Sequence, residues 1–305
     1  MNNKTIEEEQ KNLIKIYQSE NYDKLISELD TFVENFGESD FTFSLLGNAY
    51  FNTKQFSKSI GAFQNELKIS SGDHHLPHFN LGRNYEELKE NTKAIDHYMI
   101  SYNLNPKKFE TSYNLAMLHV TNENYSNAKD FFEIAYSINS NHPNMIINYL
   151  SLLHKTKNYD EAVDIGKKAD RRMEKFYQFT FNFALHLYEI GDMEKSEIMN
   201  EKAINSINDI NNPVLNDCLT LKANLLNYAN KNNEAVNIGF KILKKDPYNY
   251  GALKTLSVSF AHLGNHQTSI MFNRLADGNV RFENKKEDDE INLFIYDNEK
   301  VLIND

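Results

Sequence analysis

Four segments of the chain repeat one pattern at a constant offset of 34 residues: "FNLGRNY" from Phe79, "YNLAMLH" from Tyr113, "INYLSLL" from Ile147 and "FNFALHL" from Phe181. A fixed period of this length is the sequence signature of stacked supersecondary units, and it constrains the fold more than any single motif does. Within each period two clusters of apolar and small residues recur at i, i+3, i+4 or i+7, as in Leu81, Gly82 and Tyr85 followed by Ala94 and Tyr98, which predicts two amphipathic helices. Polar stretches such as "KENT", "NENYS" and "IGDME" separate the clusters and predict turns.

The frame extends beyond these four blocks. "ENYDKLISELDTF" from Glu20 mimics "KNYDEAVDIGKKA" from Lys157, and five extra residues at 211–215 precede two further copies. The reading is eight helical hairpins near 6–39, 40–73, 75–108, 109–142, 143–176, 177–210, 216–249 and 250–283, followed by a charged linker and tail at 284–305. No hairpin buries enough apolar surface alone, so neighbours must stack, and the all-α fold expected is an α-solenoid. Small residues at Gly47, Gly82, Ala116, Ala184 and Ala223 mark close helix approach. Leu150 and Ser257 interrupt that column and are expected to loosen or shift the packing, and the segment from Asn211 to Leu215 is the expected hinge.

These blocks resemble the tetratricopeptide repeat family, whose 34-residue pattern includes Leu-Gly, Tyr, Ala, an aromatic and a closing Pro. Leu81, Gly82, Tyr85, Ala94, Tyr98 and Pro106 match it, as do Leu46, Gly47, Tyr50 and Phe63 in the preceding block. The resemblance implies a right-handed superhelix in which the first helix of each hairpin lines a concave groove.

Asn80, Asn114, Asn148 and Asn182 fill one column of that implied lining. Asparagine inside a helix costs roughly half a kcal/mol against alanine, so the repetition calls for a reason. The column is similar to the asparagine ladder of O-linked N-acetylglucosamine transferases, where amides clasp the main chain of an extended peptide. A carboxamide offers both donor and acceptor to a peptide unit. The alternative use is bonding between the hairpins themselves. Phe79, Tyr113 and Phe181, one residue earlier, are the expected apolar contacts for a peptide or, equally, packing residues. The carboxylate clamp of chaperone-binding repeats is not expected: Asn48 and Asn80 are in place, but Ser44, Glu110 and Asn114 stand where its cations belong.

Composition narrows the function classes. A net charge of −10 disfavours nucleic acid, whose backbone demands clustered cations. No apolar run approaches the ~18 residues of a membrane span. The polar, acidic start is not that of a signal peptide, and the single cysteine, Cys218, fits a reducing compartment, so a cytoplasmic location is expected. Motifs for phosphate loops, zinc proteases or serine hydrolases are missing, and no cofactor or metal is expected; His74 and His78 in "GDHHLPH" form the densest ligand cluster. The expected function is a non-catalytic scaffold that binds a protein or peptide. The alternative is a targeting arm for an enzyme, for example a glycosyltransferase, sulfotransferase or oxygenase, whose catalytic part is a separate chain. The tail is apolar at Ile291, Leu293, Phe294 and Ile295 and again at Val301, Leu302 and Ile303. It is expected to form a two-stranded hairpin turning at "DNEK", a capping helix, or a motif for a partner.

Overall fold

Each apolar periodicity becomes a helix in the computed structural model, which describes residues 5–72, 74–169, 171–278, 280–283 and 292–295. The hairpins are α1 (Ile6–Gln18) with α2 (Tyr22–Phe36), α3 (Asp40–Asn52) with α4 (Phe56–Ile69), α5 (His75–Glu87) with α6 (Asn91–Leu104), and α7 (Phe109–Thr121) with α8 (Tyr125–Ile138). They continue with α9 (Pro143–Lys155) and α10 (Tyr159–Lys168), α11 (Tyr177–Glu189) and α12 (Met193–Ser206), α13 (Pro213–Tyr228) and α14 (Asn232–Leu243), and α15 (Tyr250–His262) and α16 (His266–Ala276). The chain divides into two compact units, Met1–Met145 and Ile146–Asp305, with the boundary inside α9.

The turn inside every hairpin has one construction. Its pivot is a residue in the left-handed region: Glu20, Lys54, Lys89, Glu123, Lys157, Gly191, Asn230 and Gly264, with φ between 57° and 86°. In the hairpins from α3–α4 onward the next amide reaches back five residues, as from Gln55 N to Tyr50 O (2.8 Å) and from Asn158 N to Leu153 O (2.8 Å). This bond closes the first helix as a Schellman motif. That same residue caps the second helix. Asn21, Asn124, Asp192 and Asn265 do so with the side chain, accepting from the amides of Lys24, Asn127, Lys195 and Thr268. Part of the asparagine richness is therefore capping chemistry.

Packing inside a hairpin sets a small residue against a large one sixteen positions on. A Cβ added to Gly47 would stand 2.6 Å from the Phe63 ring, and one added to Gly82 2.6 Å from the Tyr98 ring, so the rings occupy the space a side chain would need. Phe63 and Tyr98 are completely buried. Ser59 and Ser196 tie the same helices together by donating to Gly47 O and Ala184 O, each at 2.8 Å. Between hairpins, α1, α2 and α3 share a core of Leu13, Ile16, Leu25, Leu29, Phe32 and Ala49, and α14, α15 and α16 share one around Leu256 and Phe272.

The structure refines the sequence reading in four places. At Leu150 the packing is shifted, one of the two outcomes expected: Leu150 is fully buried, and Gly166, sixteen residues on, replaces the usual large side chain and has Phe183 against it. Ser257 keeps its hairpin closed by donating to Ser269 O at 2.9 Å. The extra residues at 211–215 are taken up partly as helix. Asn212 caps α13, which starts at Pro213 and runs 16 residues, against 13 for α11 and α15. Proline fits that first helical position. Finally, α16 ends at Ala276, where Gly278 (φ 76°) turns the chain, and residues expected in the last repeat form strand β1 (Val280–Glu283). It pairs antiparallel with β2 (Asn292–Ile295), Val280 opposite Ile295. The 284–291 linker and the "DNEK" and "VLI" segments lie outside the described residues.

Candidate functional site

The asparagine column sits on the first helices, on α5 and α7 in the first unit and on α9 and α11 in the second, and all four residues are half-buried. Their surroundings differ. Asn114 Nδ2 donates to the Tyr98 hydroxyl (3.0 Å), which in turn donates to Glu86 Oε2 (2.8 Å). Burial, and next the Glu86 carboxylate, hold the Tyr98 phenol far above its ordinary pKa, so it stays a donor. Asn182 Nδ2 donates to Ser151 Oγ (2.9 Å) and Ile147 O (3.3 Å) on the neighbouring first helix. Asn80 lends its main-chain carbonyl to Asn84 Nδ2 (2.8 Å), while its own amide makes no hydrogen bond among the described residues. Asn114 and Asn182 thus spend donors within the array.

The three aromatic residues beside the column are braced by neighbours. Phe79 packs on Tyr98 (ring centroids 5.6 Å apart) with Lys108 Nζ 4.5 Å over its face. Tyr113 lies against Phe109 (5.7 Å), His142 (5.8 Å) and Phe132 (6.2 Å). Phe181 packs on the cluster of Ala184, Leu221 and Leu225.

A cleft of about 490 Å³ opens in the second unit, lined by first helices α11, α13 and α15. Tyr188, Tyr228, Tyr250 and Val258 supply its apolar surface, and Tyr228 and Tyr250 are 64% and 62% exposed. Its floor is a hydrogen-bonded lattice between α13 and α15. Thr255 Oγ1 donates to Asn224 Oδ1 (2.8 Å), Ser259 Oγ donates to Asn227 Oδ1 (2.9 Å), and Asn227 Nδ2 reaches Thr255 O (3.4 Å). Gly251 lets the helices approach: a Cβ there would stand 2.9 Å from Thr220 Cγ2. No Asp or Glu lines the cleft among the described residues. Lys254 Nζ donates to Asp277 Oδ1 and Asn273 Oδ1, each at 2.7 Å, and lies 5.5 Å from the Tyr250 ring centre.

Sequence reasoning missed this cleft. Its signal was Asn224, Asn227 and Tyr228 on one first helix with Tyr250 and Lys254 on the next; these residues fall outside the asparagine column, which ends where the five-residue insertion breaks the repeat offset.

The histidines form pairs. His78 Nδ1 lies 2.9 Å from His97 Nδ1, and Tyr85 stacks on His97. Burial, then His97 and His74, push His78 down to about 4. His186 Nδ1 donates to Asn182 O, the ring meets His154 edge-on at 5.3 Å, and burial lowers its pKa to about 4. Among the described residues no group of three potential ligands is placed to hold a metal ion. Cys218 is buried, and desolvation pushes its thiol up to about 12, so it is no nucleophile at neutral pH. Among the described residues no helix is long and apolar enough to cross a membrane.

Tandem helical hairpins with an open cleft on their first helices define an all-α repeat protein of the class that stacks hairpins into extended binding surfaces. The family model described as tetratricopeptide repeat matches residues 109–142, the α7–α8 hairpin. In fold the chain is similar to tetratricopeptide-repeat structures, and this one hairpin also carries the family's sequence pattern. Similar solved structures include the C-terminal part of a repeat-containing protein from Cytophaga hutchinsonii, at TM-score 0.62 and 13% identity over 81% of this chain and 99% of that one. A tetratricopeptide repeat protein from Parabacteroides merdae aligns at TM-score 0.52 and 16% identity over 84% and 98%. The type IV pilus biogenesis factor PilW aligns at 0.53 and 15% over 68% and 94%. No curated protein matches the chain in sequence.

Proposed function

We propose that the chain is a non-catalytic cytoplasmic scaffold that holds an extended peptide segment of a protein partner against the first helices of its hairpins. The observation that carries this reading is the cleft on α11, α13 and α15, where exposed tyrosine rings stand over a floor fixed by interhelical hydrogen bonds. Rigid aromatic surface beside polar groups is the composition of protein-recognition sites. Asn80 and Asn114, with Phe79 and Tyr113 beside them, in the first unit, and Asn148 and Asn182, with Phe181, in the second, are further places where a main chain could be clasped, and the Asn80 amide makes no hydrogen bond among the described residues. The acidic net charge argues against a nucleic-acid partner, and a membrane partner is not part of the proposal.

The test is binding of the full chain to an array of extended peptides. Two variants are compared with it: Tyr228→Ala with Tyr250→Ala, and Asn80→Ala, Asn114→Ala, Asn148→Ala with Asn182→Ala. Thermal melts establish that each is folded. Saturable binding that the tyrosine variant loses supports the reading. A chain that binds no peptide, and instead carries catalytic activity or co-purifies with a catalytic chain, would be an enzyme arm.

A further inference from the structure

We propose that the cleft on α11, α13 and α15 selects uncharged peptide segments, seating an apolar side chain against the Tyr228 and Tyr250 rings and bonding one peptide carbonyl to Asn224 Nδ2. The proposal rests on the peptide reading above and adds the chemistry of the ligand.

Charge decides the selection. The chain carries ten more acidic than basic side chains, 43 against 33, yet no carboxylate among the described residues lines the cleft. Only Lys254 and His262 there can be positive, and both are occupied. Lys254 donates to Asp277 and Asn273, and Asp277 Oδ2 also accepts from Asn273 Nδ2 (3.3 Å), so the ammonium is neutralised where it stands. His262 Nδ1 is paired with Asn232 Oδ1 (3.2 Å). A ligand carboxylate would find no free cation, and a ligand ammonium would find no carboxylate in the lining. Either would lose hydration without a counter-charge, which is costly for a buried ion.

What remains favourable is apolar contact and neutral hydrogen bonding. Tyrosine offers wide, stiff surface with few torsions to freeze, and amides and hydroxyls adapt to main-chain groups, the combination found in antibody paratopes. Asn224 has its Oδ1 held by Thr255, which fixes the plane of the amide and leaves Nδ2 without a partner among the described residues. The lattice below it cannot rotate without breaking the Ser259 and Thr255 bonds, so the site is organised before the ligand arrives. The volume, about 490 Å³, is of the size usual for small-molecule and side-chain sites.

The experiment uses the full chain and three sets of dye-labelled peptides with one Leu or Phe anchor, flanked by Asn, Gln and Ser, by Glu, or by Lys. Fluorescence anisotropy at about 50 and about 500 mM NaCl spans Debye lengths of about 14 to about 4 Å. Expected are neutral peptides at least about tenfold tighter than either charged set, a Kd steady within about twofold across the salt range, and a loss of about tenfold or more in the Tyr228→Ala, Tyr250→Ala variant with its melting temperature unchanged. Glu or Lys peptides that bind as tightly as the neutral set, with a steep salt dependence, overturn the selection while leaving peptide binding intact. Neutral binding that survives the tyrosine variant overturns the location. Failure of all three sets removes the peptide reading itself.

Discussion

At the scale of a residue, the hairpin pivots are where local geometry and side-chain choice disagree. A left-handed backbone costs a residue with a Cβ about 1–2 kcal/mol, yet six of the eight pivots are Glu, Lys or Asn. Glycine would recover part of that cost, less what it loses in unfolded-chain entropy, so Lys54→Gly and Lys89→Gly are each expected to stabilise by about 0.5–1 kcal/mol in urea unfolding. The asparagines teach a related lesson. Asn21, Asn124 and Asn265 are caps, Asn114 and Asn182 are struts, and Asn224 is held through its oxygen by Thr255, although all are the same letter. The column at 80, 114, 148 and 182 was visible because the period aligns it. Which amide has a free donor depends on neighbours such as Tyr98 and Ser151, and residue identity carries no trace of that.

At the scale of an element, the helices were legible because each apolar face repeats against a fixed turn. Their ends were not legible where tertiary structure intervened. Pro213, read as insertion, starts α13 because proline at the first helical position loses no hydrogen bond, and Val280–Glu283 left the last repeat because Gly278 ends the helix before it. Phe79, Tyr113 and Phe181 illustrate a deeper ambiguity: a ring on a lining face and a ring braced by its neighbours have the same spacing, and only packing separates them. Glycine gives a sharper contrast. Gly47→Ala and Gly82→Ala drive a methyl into the Phe63 and Tyr98 rings and are expected to cost about 1–3 kcal/mol each. Gly61, in α4, has nothing within 4 Å of an added Cβ. Its replacement by Ala is expected to gain about 0.5–1 kcal/mol, and differential scanning calorimetry of the three variants separates the cases.

For the whole molecule, buried titratable groups set opposite limits on pH. Burial, then the Asp40 charge, raises Glu66 from 4.5 to about 7, so the fold holds its proton. The associated stabilisation is complete below about pH 4.5 and is lost as pH rises through about 7. Burial lowers His78 in the first unit and His186 in the second from 6.5 to about 4, and lowers His97, His119 and His154 as well. Their stabilisation is complete above about pH 6.5 and is lost as pH falls through about 4. Urea unfolding between about pH 4 and about pH 8 is therefore expected to show loss on both sides. Glu66→Gln should remove the alkaline loss, at most about 3 kcal/mol for a shift of this size, and leave the acid loss untouched. Peptide-resolved hydrogen exchange should confine that change to Met1–Met145.

The left-handed pivots also mark where the chain tolerates editing. Successive pivots keep the period of the sequence pattern except twice, with one residue more from Lys54 to Lys89 and five more from Gly191 to Asn230. The first surplus falls in the junction after α4, and the second is shared between the junction at 207–212 and the longer helix α13. The interior of a hairpin is metrically closed, because its short turn is bonded at both ends. The junctions are the seams, and a foreign loop, a reporter domain or an additional repeat spliced at 207–212 should leave every hairpin's own hydrogen bonds as they are.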